Sequence, residues 1–242
     1  KPTRSRAEYC WTLTPFAPRF VFEAAPSVAK VTYLDADLWF LQNPTSIFNE
    51  FEASKKSVLI TKHGYAPEYD QTAEAGRYCV QFVSFVRGDG EPVRKWWEER
   101  CLEWCFSKPE DGKFGDQKYL DNWPQMFPSQ VHVMKEESRA LAPWNATRFP
   151  YSDAVFYHFH GLKIISDRYV SIASYYIPGP VLRCVYAPYL VELGRIKTIL
   201  KNSAIHWNPR FNKLNFLVMV LTWFRLVLQR CMLRIHRPIR TW

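Results

Sequence analysis

Residues 30–35 read KVTYLD, in which Val31, Tyr33 and Asp35 fall on one strand face and Thr32 and Leu34 on the other. That alternation predicts a buried strand ending in acids. Two further short apolar runs, SVLIT at 57–61 and QFVSFV at 81–86, are bounded by polar, Gly or Pro positions and predict inner strands. Pro15, Pro18 and Pro26 surround FVFEAA and predict a short helix between proline stops. Further helices are predicted over 44–51 and 91–106. In the second, Asp89 is placed to cap, Pro92 suits the first turn, and Val93, Trp97, Cys101 and Trp104 share one face. Strands alternating with helices predict a mostly parallel α/β sheet. Residues 108–150 are loop-rich, with KPEDGKFGD, NWP and APWN as punctuation, and no internal repeat is visible.

Composition bounds this picture. The 242 residues are 48% hydrophobic and 17% aromatic, which excludes a disordered tail, a collagen and a disulfide-framed mini-protein. Ten Trp and seventeen Phe supply volume for one large core. Residue 1 is Lys, and KPTRSRAEYC is not followed by the apolar segment a signal peptide needs, so the chain reads as cut at its N-terminus. The six Cys (10, 79, 101, 105, 184, 231) are scattered. Cys101 and Cys105 lack a second pair at zinc-finger spacing, and the set reads as core thiols in a reducing compartment.

The charge is uneven. Of a formal +9, residues 210–242 carry seven Lys/Arg and no Asp or Glu. Their apolar run, 214–224, is interrupted by Asn215 and Thr222 and stopped by Arg225, short of the ~20 residues a spanning helix requires. Leu217, Leu221, Phe224 and Leu228 recur at helical spacing, so a basic amphipathic helix lying on an anionic membrane surface is expected. The alternative is a terminal helix packed on the main domain with a solvated basic end. No nucleic-acid motif accompanies the basic cluster, and no nucleic-acid partner is expected.

Candidate chemistry begins at YLDADLWF. Asp35 and Asp37 stand two apart where a strand stops, and ligands collect at the carboxyl ends of strands in open α/β sheets. Two exposed acids at a strand end are commonly a cap and a solvated turn. Here Leu34, Leu38, Trp39 and Phe40 flank them, a setting in which unpaired carboxylates are costly and a bound Mg²⁺ or Mn²⁺ offsets that cost. FYHFHGLK puts His158 and His160 on one side of an extended segment, followed by Gly161, which permits close backbone approach, and Lys163, which can meet a phosphate. FGDQKYLDNWP supplies Asp116 and Gln117, polar groups able to hydrogen-bond sugar hydroxyls, or an N-cap at Asp116.

In this order and spacing the chain resembles bacterial nucleotide-sugar glycosyltransferases of the GT-A fold. It is similar to the glycogenin-like retaining enzymes of the family 8 type, with their Asp-x-Asp, DQ and HxxG motifs. The resemblance runs from residue 9 to about residue 165 through YCWTLTPF, VTYLDADLWFLQNP, SVLITKH, GRYCVQFVSF, WWEERCLEWC, FGDQKYLDNWP, APWN and FYHFHGLK. It implies that Asp35 and Asp37 hold a Mn²⁺ or Mg²⁺ ion and the donor diphosphate, and that His158 or His160 is a third ligand. It further implies that Lys163 touches phosphate beside Gly161, and that Asp116 and Gln117 face the donor sugar and the reacting anomeric carbon. Trp144 and Asn145 look like the Trp-Asn near the sugar site of such enzymes, and His63 is an acceptor-side candidate.

Three departures accompany it. Where related sequences have Asn and, two residues later, Gly, this chain has Cys79 and Gln81. Lys163 follows Gly161 by two residues rather than three, and no nucleoside-binding strand-helix unit precedes Tyr9. The expectation is a GT-A-like catalytic domain over 1–180, lacking part of its N-terminal nucleotide-binding unit, and a C-terminal helical basic region over 181–242. The implied reaction moves a sugar from a nucleotide-diphosphate donor, UDP-sugar first, to a cell-surface glycan or lipid-linked acceptor, with retention, at the inner face of the cytoplasmic membrane. The alternative is a catalytically degenerate nucleotide- or glycan-binding module docked there.

Overall fold

The computed structural model describes residues 3–164, 170–172 and 174–203. The chain divides into two units, Lys1–His158 and Phe159–Trp242, and the boundary expected at 180/181 lies within the second.

The first unit opens with helices α1 (Arg6–Leu13) and α2 (Phe16–Ala24). A capping box starts α1: Glu8 N donates to Ser5 Oγ and Ser5 N to Glu8 Oε2. The other carboxylate oxygen of Glu8 accepts from Ser107 N and Oγ, at 2.8 and 2.9 Å, and so ties the N-terminal helix to the loop after residue 106. Then come β1 (Lys30–Leu34), β2 (Leu38–Phe40), α3 (Thr45–Ser54), β3 (Val58–Lys62), the single turn α4 (Thr72–Ala75), β4 (Tyr78–Val86) and α5 (Glu91–Glu103). Short elements complete the unit: α6 (Trp123–Met126), β5 (Val131–Val133), β6 (Ala140–Leu141) and β7 (Phe156–His158).

The main sheet has the order β1-β4-β3-β5 and corrects the expectation of a mostly parallel sheet. The β1–β4 and β3–β4 pairs are antiparallel, and β3–β5 alone is parallel. A parallel β3–β4 pair would need a full crossover, but residues 63–77 hold only a 3₁₀ turn, Pro67–Tyr69, and α4. A second sheet, β2-β7-β6, takes the LWF segment that follows the acids and pairs it antiparallel with β7.

Two cores flank the main sheet. On one face Val58, Ile60, Val83, Phe85, Leu120 and Val131 pack with Val93, Trp97 and Cys101 of α5, and Trp97 meets Trp123 edge to face at 5.4 Å. On the other, Ile47, Phe51, Leu59 and Phe82 pack with Val155 and Phe156, Phe82 stacking on Phe156 at 5.5 Å. The expected cap of α5 is also corrected. Gly90 is the N-cap, because the backbone N–H of Gly90 already turns back to Val86 O, and the Asp89 carbonyl accepts from Ser57 Oγ. Trp104 is the C-cap and lies just outside the helix.

In the second unit β8 (Lys163–Ile164) pairs antiparallel with β9 (Val170–Ser171). A short α7 (Gly179–Val181) and a π-helical turn, Leu182–Tyr186, lead into α8 (Ala187–Asn202). Phe159 stacks on Tyr189 there at 3.7 Å. The basic helix expected over 210–242 lies outside the described residues, as does Cys231. Cys79, Cys101 and Cys105 are buried thiols, whereas Cys10 and Cys184 are exposed, which corrects the reading of the cysteines as uniformly core residues: both sit on outward helical positions. Among the described residues no helix is long and apolar enough to cross a membrane.

Candidate functional site

The chain reverses as soon as β1 ends. Leu38 N donates to Asp35 O at 3.3 Å, so Asp35 and Asp37 sit on a tight turn between β1 and β2. Because β2 pairs with β7 in the register Leu38↔His158, the imidazole of His158 is delivered to that turn. His158 Nε2 lies 3.0 Å from Asp37 Oδ1 and 3.8 Å from Asp35 Oδ2. One ligand atom from each of the three residues falls within 4.8 Å of the others.

The surroundings constrain the carboxylates. Tyr33, next to last in β1, donates its hydroxyl proton to Asp35 Oδ1 at 2.9 Å. Burial pushes the Asp35 carboxyl up, the neighbouring charge of Asp37 adds to this, and His158 and the Tyr33 hydroxyl oppose it. The Tyr33 phenol is itself raised, by burial first and then by the Asp35 charge. Burial also raises the Cys79 thiol, reinforced by the charges of Asp35, Asp116 and Asp37, so Cys79 is an inert thiol at the rim of an acidic cluster.

Asp116 joins this cluster from the loop after α5. The indole N–H of Trp97 donates to Asp116 O at 2.8 Å and anchors the loop to the core. Asp116 is only 3% exposed. Burial pushes its carboxyl up to about 7, with the Asp35 charge adding and the Thr14 hydroxyl opposing. Asp116 Oδ2 is buried without a hydrogen-bond partner among the described residues. A solvent-shielded carboxylate oxygen with no partner, beside the charge of Asp35, favours the protonated acid.

The other expected residues fall in different places. Gln117 Nε2 donates to Ala75 O at 2.9 Å and pins α4. Asn145 is fully buried, its Oδ1 accepting from Ala142 N and its Nδ2 donating to Ala140 O and His63 O. Trp144 donates Nε1 to His63 O at 2.8 Å and meets His158 edge to face at 5.3 Å, so it walls the histidine of the triad. His63 is buried, its ring stacked on Tyr65 at 4.7 Å. His160, Gly161 and Lys163 belong to the second unit. There His160 and Lys163 are exposed, the His160 ring is 6.5 Å from Tyr175, and Gly161 takes φ +79° in the turn before β8. Of the two histidines, the structure groups His158 with the aspartates.

Sequence reasoning missed Tyr33 and Gln81 as members of the site. Tyr33 was visible as the residue sharing a strand face with Asp35. Gln81 Oε1 lies 2.8 Å from His158 Nδ1, and Gln81 O accepts from Asp35 N at 3.1 Å, so one residue of β4 touches both sides of the triad. The donor set of two carboxylates and one imidazole suits Mn²⁺ or Mg²⁺, hard or borderline cations that take oxygen ligands readily and, for Mn²⁺, imidazole as well.

No family model matches the chain. The chain is 34% identical over 186 residues to "Uncharacterized protein YfnF" of Bacillus subtilis (strain 168), a match covering 69% of this chain and 60% of YfnF. It is 29% identical over 215 residues to "Uncharacterized protein YfnD" of the same organism, covering 81% of this chain and 67% of YfnD. Among solved structures it is similar to a glycosyltransferase involved in the glycosylation of the major capsid of PBCV-1, with TM-score 0.46, 12% identity, and 66% of this chain and 74% of that one covered. It is also similar to mouse xyloside xylosyltransferase 1 in its apo form, with TM-score 0.39, 17% identity, and coverage of 63% and 64%.

Proposed function

We propose that this chain is the catalytic part of a divalent-metal-dependent glycosyltransferase. It moves a sugar from a nucleotide-diphosphate donor, a UDP-sugar, to a glycan or lipid-linked acceptor, with retention at the anomeric carbon. The observation that carries the reading is the convergence of Asp35, Asp37 and His158 at the end of β1, with ligand atoms within 4.8 Å. Asp35, Asp37 and His158 are the residues to hold Mn²⁺ or Mg²⁺. When bound, such an ion neutralises charge on a diphosphate leaving group.

The chain's own groups do the rest. The Tyr33 hydroxyl fixes one oxygen of Asp35, leaving the other toward His158. Trp144 closes one side of the imidazole and excludes water from it. Asp116, buried and with its carboxyl raised to about 7, holds or releases a proton beside Asp35.

A second reading, a nucleotide- or glycan-binding module without turnover, is favoured by Gln117 and Asn145. Their amides are engaged with Ala75 O and with backbone groups, rather than open to a sugar. Calorimetric titration of UDP with Mn²⁺, then with chelator, then into Asp37→Ala, tests both. Binding that needs metal and Asp37 is expected, and incubation with UDP-sugars and glycan acceptors then separates transfer from binding alone. Absence of UDP binding in every condition would overturn the UDP-sugar transferase reading, and absence of glycan binding as well would overturn the second.

A further inference from the structure

Gln81 lies on β4, and its side chain is fully buried. Its Oε1 lies 2.8 Å from His158 Nδ1, and both groups are inaccessible to bulk water. A carboxamide oxygen only accepts, so in this pairing the imidazole proton sits on Nδ1. Nε2 then lies 3.0 Å from Asp37 Oδ1 and 3.8 Å from Asp35 Oδ2. With Nδ1–H committed to Gln81, Nε2 is the nitrogen that faces the aspartates, where a bound cation takes the place of any proton shared with Asp37. The opposite amide orientation would place Nε2–H of the imidazole toward the aspartates, and a protonated nitrogen is not a ligand.

Gln81 Nε2 has no hydrogen-bond partner among the described residues, so the contact of Oε1 with His158 Nδ1 is the one through which the carboxamide holds the ring. The backbone locks the pair in place, because Gln81 O accepts from Asp35 N and ties β4 to the turn that carries the two aspartates.

We propose that Gln81 is the positioning residue of the cation site: its buried carboxamide oxygen accepts from His158 Nδ1–H and aims Nε2 at the space shared with Asp35 and Asp37. The proposal rests on the metal-dependent reading above and adds a neutral outer partner in a position where a carboxylate would raise the negative charge of the site. Outer partners of ligating histidines are worth about 10- to 100-fold in metal affinity.

The test uses the whole chain and needs no sugar substrate. Mn²⁺ affinity is measured by calorimetry for the wild type, Gln81→Met, which keeps the volume and removes the acceptor, and Gln81→Glu, which keeps the acceptor. In parallel, ¹⁵N chemical shifts of the His158 ring report its tautomer in the metal-free protein. Expected are an Nδ1–H tautomer in the wild type, about 10- to 100-fold weaker Mn²⁺ binding in Gln81→Met with a changed tautomer, and recovery to within a few-fold in Gln81→Glu. Unchanged Mn²⁺ affinity in Gln81→Met, or an Nε2–H tautomer in the wild type, would overturn the proposal. Should Gln81→Met unfold, the wild-type ring shifts decide alone. Failure of the wild type to bind Mn²⁺, with the Nδ1–H tautomer present, would overturn the metal reading while leaving the orientation of His158 by Gln81 in place.

Discussion

At the scale of single residues, Asp116 carries a stability signature of its own. Its carboxyl is raised to about 7 in the folded chain, against 3.8 when exposed. The folded state therefore retains a proton that the unfolded state has released between about pH 4 and 7, and stability falls as pH rises through that window. The contribution is fully present below about pH 4 and lost above about pH 7. In chelator, Asp116→Asn should flatten the stability profile across this window and exceed the wild type above pH 7 by an amount on the order of a few kcal/mol. Urea melts at pH 5, 6, 7 and 8 on both proteins check it, and parallel profiles would mean that the carboxyl titrates normally. A residue-type motif announces acids but not their environment. Asp35 and Asp37 stood out in YLDADLWF, whereas the depth of Asp116 follows from Trp97 gripping its carbonyl, a contact nineteen positions away in sequence.

At the scale of elements, the site depends on an irregularity in β4. Register between β3 and β4 shifts between Leu59↔Ser84 and Thr61↔Cys79. Before the shift Tyr78 and Val80 face the α5 core, and after it Val83 and Phe85 do, so Gln81 and Phe82, though adjacent, both turn to the opposite side. A bulge next to a site that re-aims a side chain has this effect. Period-two reading of QFVSFV assigns Gln81 and Phe82 to opposite faces, which is why the positions of the strands were legible in the sequence and the partner of His158 was not. Sheet direction was hidden for a related reason. Alternating helices and strands at 30–106 are compatible with either direction, and the pairing of LWF with FYH joins segments more than a hundred residues apart. Phe82 stacked on Phe156 is the packing link between β4 and the sheet that delivers His158. Phe82→Ala should cost about 3–5 kcal/mol in urea unfolding and weaken Mn²⁺ binding in the surviving folded population. A loss below about 1 kcal/mol would show that the two sheets are held together elsewhere.

At the scale of the whole molecule, charge is distributed unevenly along the chain. Residues 1–209 carry 25 Lys+Arg against 23 Asp+Glu, near balance, and residues 210–242 carry the other seven cations with no acid. A near-neutral body with a cationic end behaves differently from a uniformly basic protein, because the long-range field comes from one segment and is screened within about 8 Å at physiological salt. An acceptor linked to lipid would be met at a membrane surface, and α8 already exposes Val191, Ile196 and Ile199 to solvent. We expect the chain to sediment with vesicles containing anionic lipid and not with neutral ones. Replacing Arg225, Arg230, Arg234, Arg237 and Arg240 by Gln should remove most of that binding, at about 1 kcal/mol for each cation near the surface. Raising the salt should weaken the wild type toward the variant, since only the electrostatic part is screened. Equal sedimentation of the two proteins at low salt would exclude a headgroup interaction by this segment. The acceptor would then be sought among water-soluble glycans, with the candidate cation site of Asp35, Asp37 and His158 unaffected, because the basic segment and those carboxylates lie in separate stretches of the chain.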